Sequence, residues 1–267
     1  MLKHIEKFLL FLNRLEMEIP KPWGWFHLLW IVITIAFVLY FCYAKKNHIE
    51  IPPNRVYAIY GFGAFALELT KQLMWSVSSQ HGHVTWDYSW YAAPFQLCTT
   101  PMFVCIALCF IRNVNWREAL ESYLGYISIF NTFLAILLPE SCFVEDILID
   151  IHTMFLHCGG FVVGAFALIE HRAQRSLKGL AGSYCVFLAF VAVALLLDIG
   201  LMKLGVVTVE DAFNMFYLSP YIPCPLPVLS SIYNAVPYPV FLLAFVAAFF
   251  LIGLLINRVY SALTKEL

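Results

Sequence analysis

The chain of 267 residues is 62% hydrophobic and 12% charged, with a mean hydropathy of +0.80, against roughly 45–50% apolar and 25% charged residues in an average soluble domain. That much apolar surface excludes a water-soluble globule. A formal net charge of −1 offers no polyanion-binding tail, so no nucleic-acid partner is expected. With on the order of 35 residues per span and connection, the length accommodates one membrane domain.

Lipid cannot satisfy a bare backbone, so each apolar run of about 20 residues reads as a helix. Ahead of the first run, residues 1–22 predict an interfacial amphipathic helix. Leu2, Ile5, Leu9, Leu12 and Ile19 lie near one helical stripe, while Lys3, Glu6, Lys7, Asn13 and Arg14 lie largely elsewhere. The apolar run from Phe8 to Leu12 is too short for a signal peptide and no small-residue cleavage site follows it, so the segment is expected in the mature protein. Residues 23–267 predict an all-α membrane domain of seven transmembrane helices, near 24–43, 55–76, 93–112, 118–139, 148–170, 180–202 and 235–257. The sixth run is almost uninterrupted from Leu180 to Leu197, and the fourth is the weakest, opening with Glu118 and Glu121 and carrying Asn131. The connection 203–234 holds Pro220, Pro223, Pro225 and Pro227, and is expected to be an ordered or re-entrant loop rather than another span.

Orientation follows from the basic residues. Lys45, Lys46, Arg55, Arg112, Arg117, Arg172, Arg175, Lys178, Arg258 and Lys265 fall on one side, against Lys3, Lys7, Arg14, Lys21 and Lys203 on the other. The positive-inside bias then predicts the N-terminus outside and the C-terminus in the cytoplasm. The outer loops are acidic instead, with Asp87, Glu140, Glu145, Asp146, Asp150, Glu210 and Asp211.

Lys71, in the middle of the second predicted span, first points to function, because an ionisable group in a membrane costs several kcal/mol unless it is paired or faces a wet cavity. Glu68 lies three residues earlier on the same helical face, and Gln72 is four residues after Glu68. The pair either pins the second helix to a neighbour or forms a polar site for a lipid headgroup or another polar substrate. With about 1.5 Å of rise per residue, Glu68, Lys71, Gln96, Cys98, Asn131, His152, His157 and Asp198 all fall in the outer half of their spans, and the inner half carries hardly any such groups. One polar cavity between helices two to six, opening toward the outer leaflet, is the expectation.

Within that cavity Cys98 sits in Ala93-Pro94-Phe95-Gln96-Leu97-Cys98-Thr99-Thr100-Pro101, where Pro101 cannot donate to the carbonyl of Leu97 and Pro94 marks the helix start. His157 follows Thr153 by one turn and precedes Gly159-Gly160, small residues that let another helix or an acyl chain approach. A Cys beside a neutral His can be deprotonated and attack an ester carbonyl, giving a thioester. The bland alternatives are a small apolar thiol and a satisfied interhelical histidine. Cys42, Cys105, Cys109, Cys158 and Cys185 read as small hydrophobes.

The order of Pro94-Phe95-Gln96-Leu97-Cys98, then Gly125 to Pro139 with Asn131, then His152 to Gly159, then Asn214-Met215-Phe216-Tyr217-Leu218 with prolines after it, resembles the YwaF family of bacterial integral membrane proteins. That family is similar to the eukaryotic transmembrane protein 164 acyltransferases, and the likeness runs from about residue 55 to the C-terminus. For the eukaryotic branch the resemblance implies transfer of a fatty acyl chain between phospholipids, through a Cys in the third span and a His in the fifth, positions that match Cys98 and His157. A more distant likeness is to the androgen-induced-protein lipid hydrolases, which use Thr and His. The bacterial branch carries no activity over, and Phe95-Gln96 departs from its usual Leu-His.

Other constellations carry less. His81-Gly82-His83 with Asp87 lacks a fourth metal ligand, and His152 and His157, five apart, lie roughly 140° around a regular helix and cannot share one ion. No metal or cofactor is therefore expected. Cys142 and Cys224 both fall in predicted outer loops, where a disulfide could form if that side is oxidising. The seventh span has no Lys for a retinal Schiff base. The sequence thus reads as a phospholipid acyltransferase or lipid hydrolase with Cys98 as nucleophile, His157 as general base, and Glu68, Lys71, Gln96, Asn131 and Asn214 as substrate-binding residues. The alternative is a non-enzymatic transporter or receptor that binds a small polar ligand in the same cavity; membrane phospholipids are the expected partners of the first.

Overall fold

The computed structural model describes residues 2–12, 15–80, 83–139 and 143–263. After α1 (Leu2–Leu12), the helices are α2 (Trp25–Lys46), α3 (Pro53–Met74), α4 (Thr100–Phe110), α5 (Val114–Tyr123), α6 (Ile129–Leu137), α7 (Ile147–Ile169), α8 (Leu177–Lys203), α9 (Pro227–Ala235) and α10 (Tyr238–Leu263). Their ends are written in the sequence. Pro53 opens α3, where its missing N–H costs nothing. The side chains of Asn113, Asp146 and Ser176 accept from the first free N–H groups of α5, α7 and α8.

Among the described residues, five helices are long and apolar enough to cross a membrane: α2, the continuous stretch Val114–Leu137, α7, α8 and α10. The other two predicted spans depart for physical reasons. α3 is as long as α2, 22 residues, but Arg55, Glu68 and Lys71 dilute its apolar character. The third predicted span, 93–112, begins later and is shorter, as the run Leu97–Phe110. Ala93, preceding Pro94, is held extended with ψ 140°, and the chain enters α4 through a 3-10 turn at Leu97–Thr99. The carbonyl of Leu97, which Pro101 cannot serve, accepts instead from the Thr100 hydroxyl at 2.7 Å. Tyr123 Oη lies 2.6 Å from that hydroxyl, so the backbone there is less bare than the sequence suggested.

Between α5 and α6 the helix widens into a buried π segment, Leu124–Ser128. Gly164 of α7 packs directly against it: a Cβ at that position would lie 2.7 Å from the Leu124 carbonyl oxygen. α7 also packs on α2, α3, α5 and α6, which makes it the hub of the molecule.

The N-terminal segment departs from the predicted stripe. α1 ends at Leu12, and Leu15 to Met17 pair antiparallel with Glu145 to Ile147, with Met17 N donating to Glu145 O at 2.7 Å. Leu9 is buried, whereas Ile5, Phe8 and Phe11 are exposed. A hairpin, β1 (Val77–Gln80) and β2 (His83–Trp86), closes the α3 end with Val77 opposite Trp86, and Trp86 Nε1 donates to Glu6 at 3.2 Å. The connection after α8 is ordered as expected. Phe213, Met215, Phe216, Leu218 and Ser219 are buried, and the Tyr238 hydroxyl holds the Leu218 carbonyl at 2.7 Å.

The half predicted to face the cytoplasm is not free of buried charge. Glu121, 2% exposed, accepts from Tyr57 Oη at 3.2 Å and from Arg172 Nε at 3.1 Å, and pairs with Arg117 at 3.4 Å. One carboxylate thus ties α3, α5 and the segment after α7 together. Arg117 also donates to the carbonyls of Leu108 and Ile111 at 2.6 and 3.0 Å, satisfying the bare end of α4. Replacing Glu121 by Ala takes the shared acceptor from Arg172 and the buried Tyr57 phenol and the counter-charge from Arg117, which keeps the carbonyls of Leu108 and Ile111. The expected cost is about 3 kcal/mol, read as a lowered melting temperature in detergent. Tyr57→Phe should cost less, since it removes one hydrogen bond to a charged group, roughly 1.5–3 kcal/mol at most.

Candidate functional site

The structure sorts the predicted polar residues into three groups. The first joins α3 to α7. Glu68, 2% exposed, places Oε2 at 2.8 Å from His152 Nε2 and Oε1 at 2.7 Å from Lys71 Nζ. Gln72 Nε2 donates to Glu68 Oε1 and to the Ala92 carbonyl, both at 2.6 Å, and the Tyr88 hydroxyl donates to Gln72 Oε1 at 2.6 Å. Burial, reinforced by the Glu68 charge, pushes the Tyr88 phenol up, which keeps it a neutral donor. Lys71 Nζ sits 5.9 Å from the centre of the Trp75 ring, and that ring stacks on Tyr91, an arrangement that favours a cation. The buried carboxylate therefore has three donors, and His152 Nδ1 is left buried with no hydrogen-bond partner.

The second group is a clamp on the connection after α8. Gln96 Nε2 donates to the Asn214 carbonyl and Gln96 Oε1 accepts from Phe216 N, both at 3.1 Å. Asn214 Oδ1 accepts from Ser219 N at 2.8 Å, its Nδ2 donates to Ile222 O at 3.2 Å, and Asp198 Oδ1 accepts from Met215 N at 2.7 Å. These contacts hold Phe216 at φ 56°, a conformation costly for a bulky residue, with its ring stacked 5.6 Å from Phe95. Gln96 and Asn214 thus spend their polar atoms on backbone, and Asp198 spends one oxygen there while its Oδ2 is buried with no hydrogen-bond partner.

The third group surrounds Cys98. Its 3-10 turn packs on both α6 and α7. The Tyr60 hydroxyl of α3 donates to the Leu156 carbonyl at 3.0 Å. His157 shares a helical face with Gly160 and Gly164, three and seven residues on. A Cβ on Gly160 would meet Thr132 at 2.7 Å and Pro101 at 3.5 Å, and one on Gly164 would meet Ile129. The His157 face therefore turns toward α6, the Tyr60 hydroxyl of α3 and the start of α4, which follows the turn that carries Cys98. His157 Nδ1 and Asn131 Nδ2 are buried with no hydrogen-bond partner.

Among the described residues, one surface hollow borders the first group and another lies apart from all three. One, of about 320 Å³, is lined by Asp87, Tyr88, Trp90, Tyr91, Glu210 and Asp211, and the other, of about 240 Å³, lies between α5 and α8. Among the described residues no cluster of three His, Cys, Asp or Glu could hold a metal. His81 falls outside those residues. So does Cys142, while Cys224 carries a free thiol that is itself buried.

A family model for the TMEM164 family matches residues 21–256. The chain belongs to the TMEM164 family. No curated protein and no solved structure matches it. The matched stretch of this TMEM164-family membrane protein takes in α2 to α9 and most of α10, and so all three polar groups. Sequence reasoning missed the bond between Glu68 and His152 and the part played by Tyr88. The pairing of His152 with a carboxylate 84 positions away leaves no local signal, although both residues stood out as polar groups at similar depth.

Because a lone buried charge is worse than none, removing one partner of the α3 pair should hurt more than removing both. Glu68→Gln and Lys71→Met should each lower the melting temperature more than the double change does. Equal stability of all three variants would make the pair incidental.

Proposed function

We propose that this protein is a membrane-embedded phospholipid acyltransferase or lipid hydrolase, with Cys98 as nucleophile and His157 as general base. The observation that carries the reading is the buried, unpartnered Nδ1 of His157, on the helix against which the Cys98 turn packs. Buried polar groups nearly always have a partner, so an orphan asks for a reason, and a transferable proton supplies one. The His takes the thiol proton as sulfur attacks an ester carbonyl. It returns that proton to the leaving lysolipid oxygen, leaving an acyl thioester on Cys98. A second lipid hydroxyl, or water, then takes the acyl group and restores the thiol.

Asn131 contributes a buried, unspent amide donor from α6. Glu68 and Lys71 bound the headgroup side, and Gln96 and Asn214 serve substrate by fixing the loop next to Cys98. The motif order favours a YwaF-like bacterial member. The topology that fits is seven spans, α3 and Leu97–Phe110 included, with an amphipathic α1 lying in the interface, the N-terminus outside and the C-terminus cytoplasmic. The alternative, a transporter or receptor using Glu68, Lys71 and Asn131, fares less well, because Glu68 already has three internal donors.

Two measurements test this. A tag after Leu267 should be protected from impermeant reagents in intact cells, and exposure of the tag would overturn the orientation. Purified protein incubated with acyl-labelled phospholipid should carry label that neutral hydroxylamine removes, since it cleaves thioesters and spares ordinary oxygen esters. Cys98→Ala should carry none, and His157→Ala should acylate roughly 10²- to 10⁴-fold more slowly. Label persisting in Cys98→Ala, or absent from the parent across a broad lipid panel, removes the assignment and moves the binding-protein reading ahead.

A further inference from the structure

We infer that Glu68 and His152 form a second proton-transfer unit, in which Glu68 is a positioning residue and His152 Nδ1 is the base that activates the acyl-accepting hydroxyl. The inference rests on the Cys98 reading of the site. Two facts carry it: the 2.8 Å contact between Glu68 Oε2 and His152 Nε2, and the lack of any partner for the buried His152 Nδ1.

The contact fixes the tautomer. A carboxylate only accepts, so the proton between the two groups sits on Nε2, and the orphan Nδ1 then carries a lone pair. The opposite tautomer would set two acceptors against each other at 2.8 Å and bury an unsatisfied N–H, the more costly arrangement. A His held by a carboxylate on one nitrogen, with a basic lone pair on the other, is built to accept a proton. Lys71 and Gln72 complete the carboxylate's shell, so Glu68 is held as an acceptor rather than free to turn away.

His152 lies five residues before His157 on α7, about 7.5 Å along the axis and roughly 140° around it. It sits toward the α7 end nearer Tyr88 and the hairpin. A hydroxyl entering from that end meets His152 before it reaches Cys98. His152 takes the hydroxyl proton as that oxygen attacks the thioester carbonyl. The carbon–sulfur bond breaks, and the proton passes to the departing thiolate. Atoms balance with no further reactant.

The two half-reactions separate this from a structural tie. In His152→Gln the amide nitrogen reaches the place of Nε2 and keeps the donor to Glu68, but nothing replaces the Nδ1 lone pair. Cys98 should acylate from labelled phosphatidylcholine vesicles at near the parental rate, while discharge of the label to added lysophosphatidylcholine should slow roughly 10²- to 10⁴-fold. Nitrogen-15 spectra of the parent, labelled at histidine, should show His152 protonated on Nε2 alone. Unchanged discharge in a folded His152→Gln protein, an equal fall in both half-reactions, or a protonated Nδ1 in the parent would each overturn the assignment of His152 and leave Cys98 in place. A parent protein that never acylates would sink the Cys98 reading and this inference with it.

Discussion

Glu68 puts a negative charge deep in a helix packed among apolar neighbours, and satisfying it organises the part of the molecule that matters most for function. An isolated carboxylate there would cost several kcal/mol. Lys71 supplies a counter-charge from the next turn, but one carboxylate has room for more donors than one ammonium provides. Gln72 and His152 fill the remainder, and each brings a constraint with it. Gln72 ties the Ala92 backbone and Tyr88 to α3, which fixes the path of the chain into the Cys98 turn. His152 ties α3 to α7, and with it the helix that carries His157.

The Cys98 turn depends on a different economy of hydrogen bonds. Pro94 and Pro101 bracket it, so a regular helix cannot form through 94–101. The chain adopts a 3-10 turn instead and recruits Thr100 to close the broken ladder at Leu97. Tyr123, at the edge of the π segment, lies against that hydroxyl. Gln96 reaches across to Asn214 and Phe216, so the connection after α8 is anchored next to the turn. π segments occur often at functional sites. Here the widening occurs where α7 needs close approach, since Gly164 leaves no room for a side chain against Leu124.

How far the sequence reveals this differs by feature. The long apolar helices α2, α7, α8 and α10 lie within a few residues of their predicted runs, because length and hydropathy are local properties. The start at Leu97 is later than predicted because hydropathy averages over prolines that the backbone cannot. α1 stops short because Leu15 to Met17 find backbone partners at Glu145 to Ile147, a tertiary choice invisible to helical periodicity. The pairing of Glu68 with Lys71 is legible from an i, i+3 spacing. Glu121 looked like a blemish in a weak span, since its partners Tyr57 and Arg172 come from 64 and 51 positions away. Depth can be counted along each helix but facing cannot, so the sequence did not reveal that Gln96, Asn214 and Asp198 turn toward a loop.

Facing is also what makes α7 informative. His152 and His157 project about 140° apart, one toward α3 and the other toward α6 and α4. A rigid helix cannot shift one without the other. Its seat is set by small residues: Gly159 lies under the Tyr60 ring, where a Cβ would sit 2.6 Å from the aromatic carbons, and Gly160 fits between Thr132 and Pro101. The Tyr60 hydroxyl then locks that seat by its bond to the Leu156 carbonyl, on the residue just before His157. Sliding α7 by even one residue, about 1.5 Å, would break that bond, part His152 from Glu68 and drive the glycines out of register. The depth of His157 is therefore fixed by contacts on both of its sides, which is the pre-organisation a proton-transferring group requires.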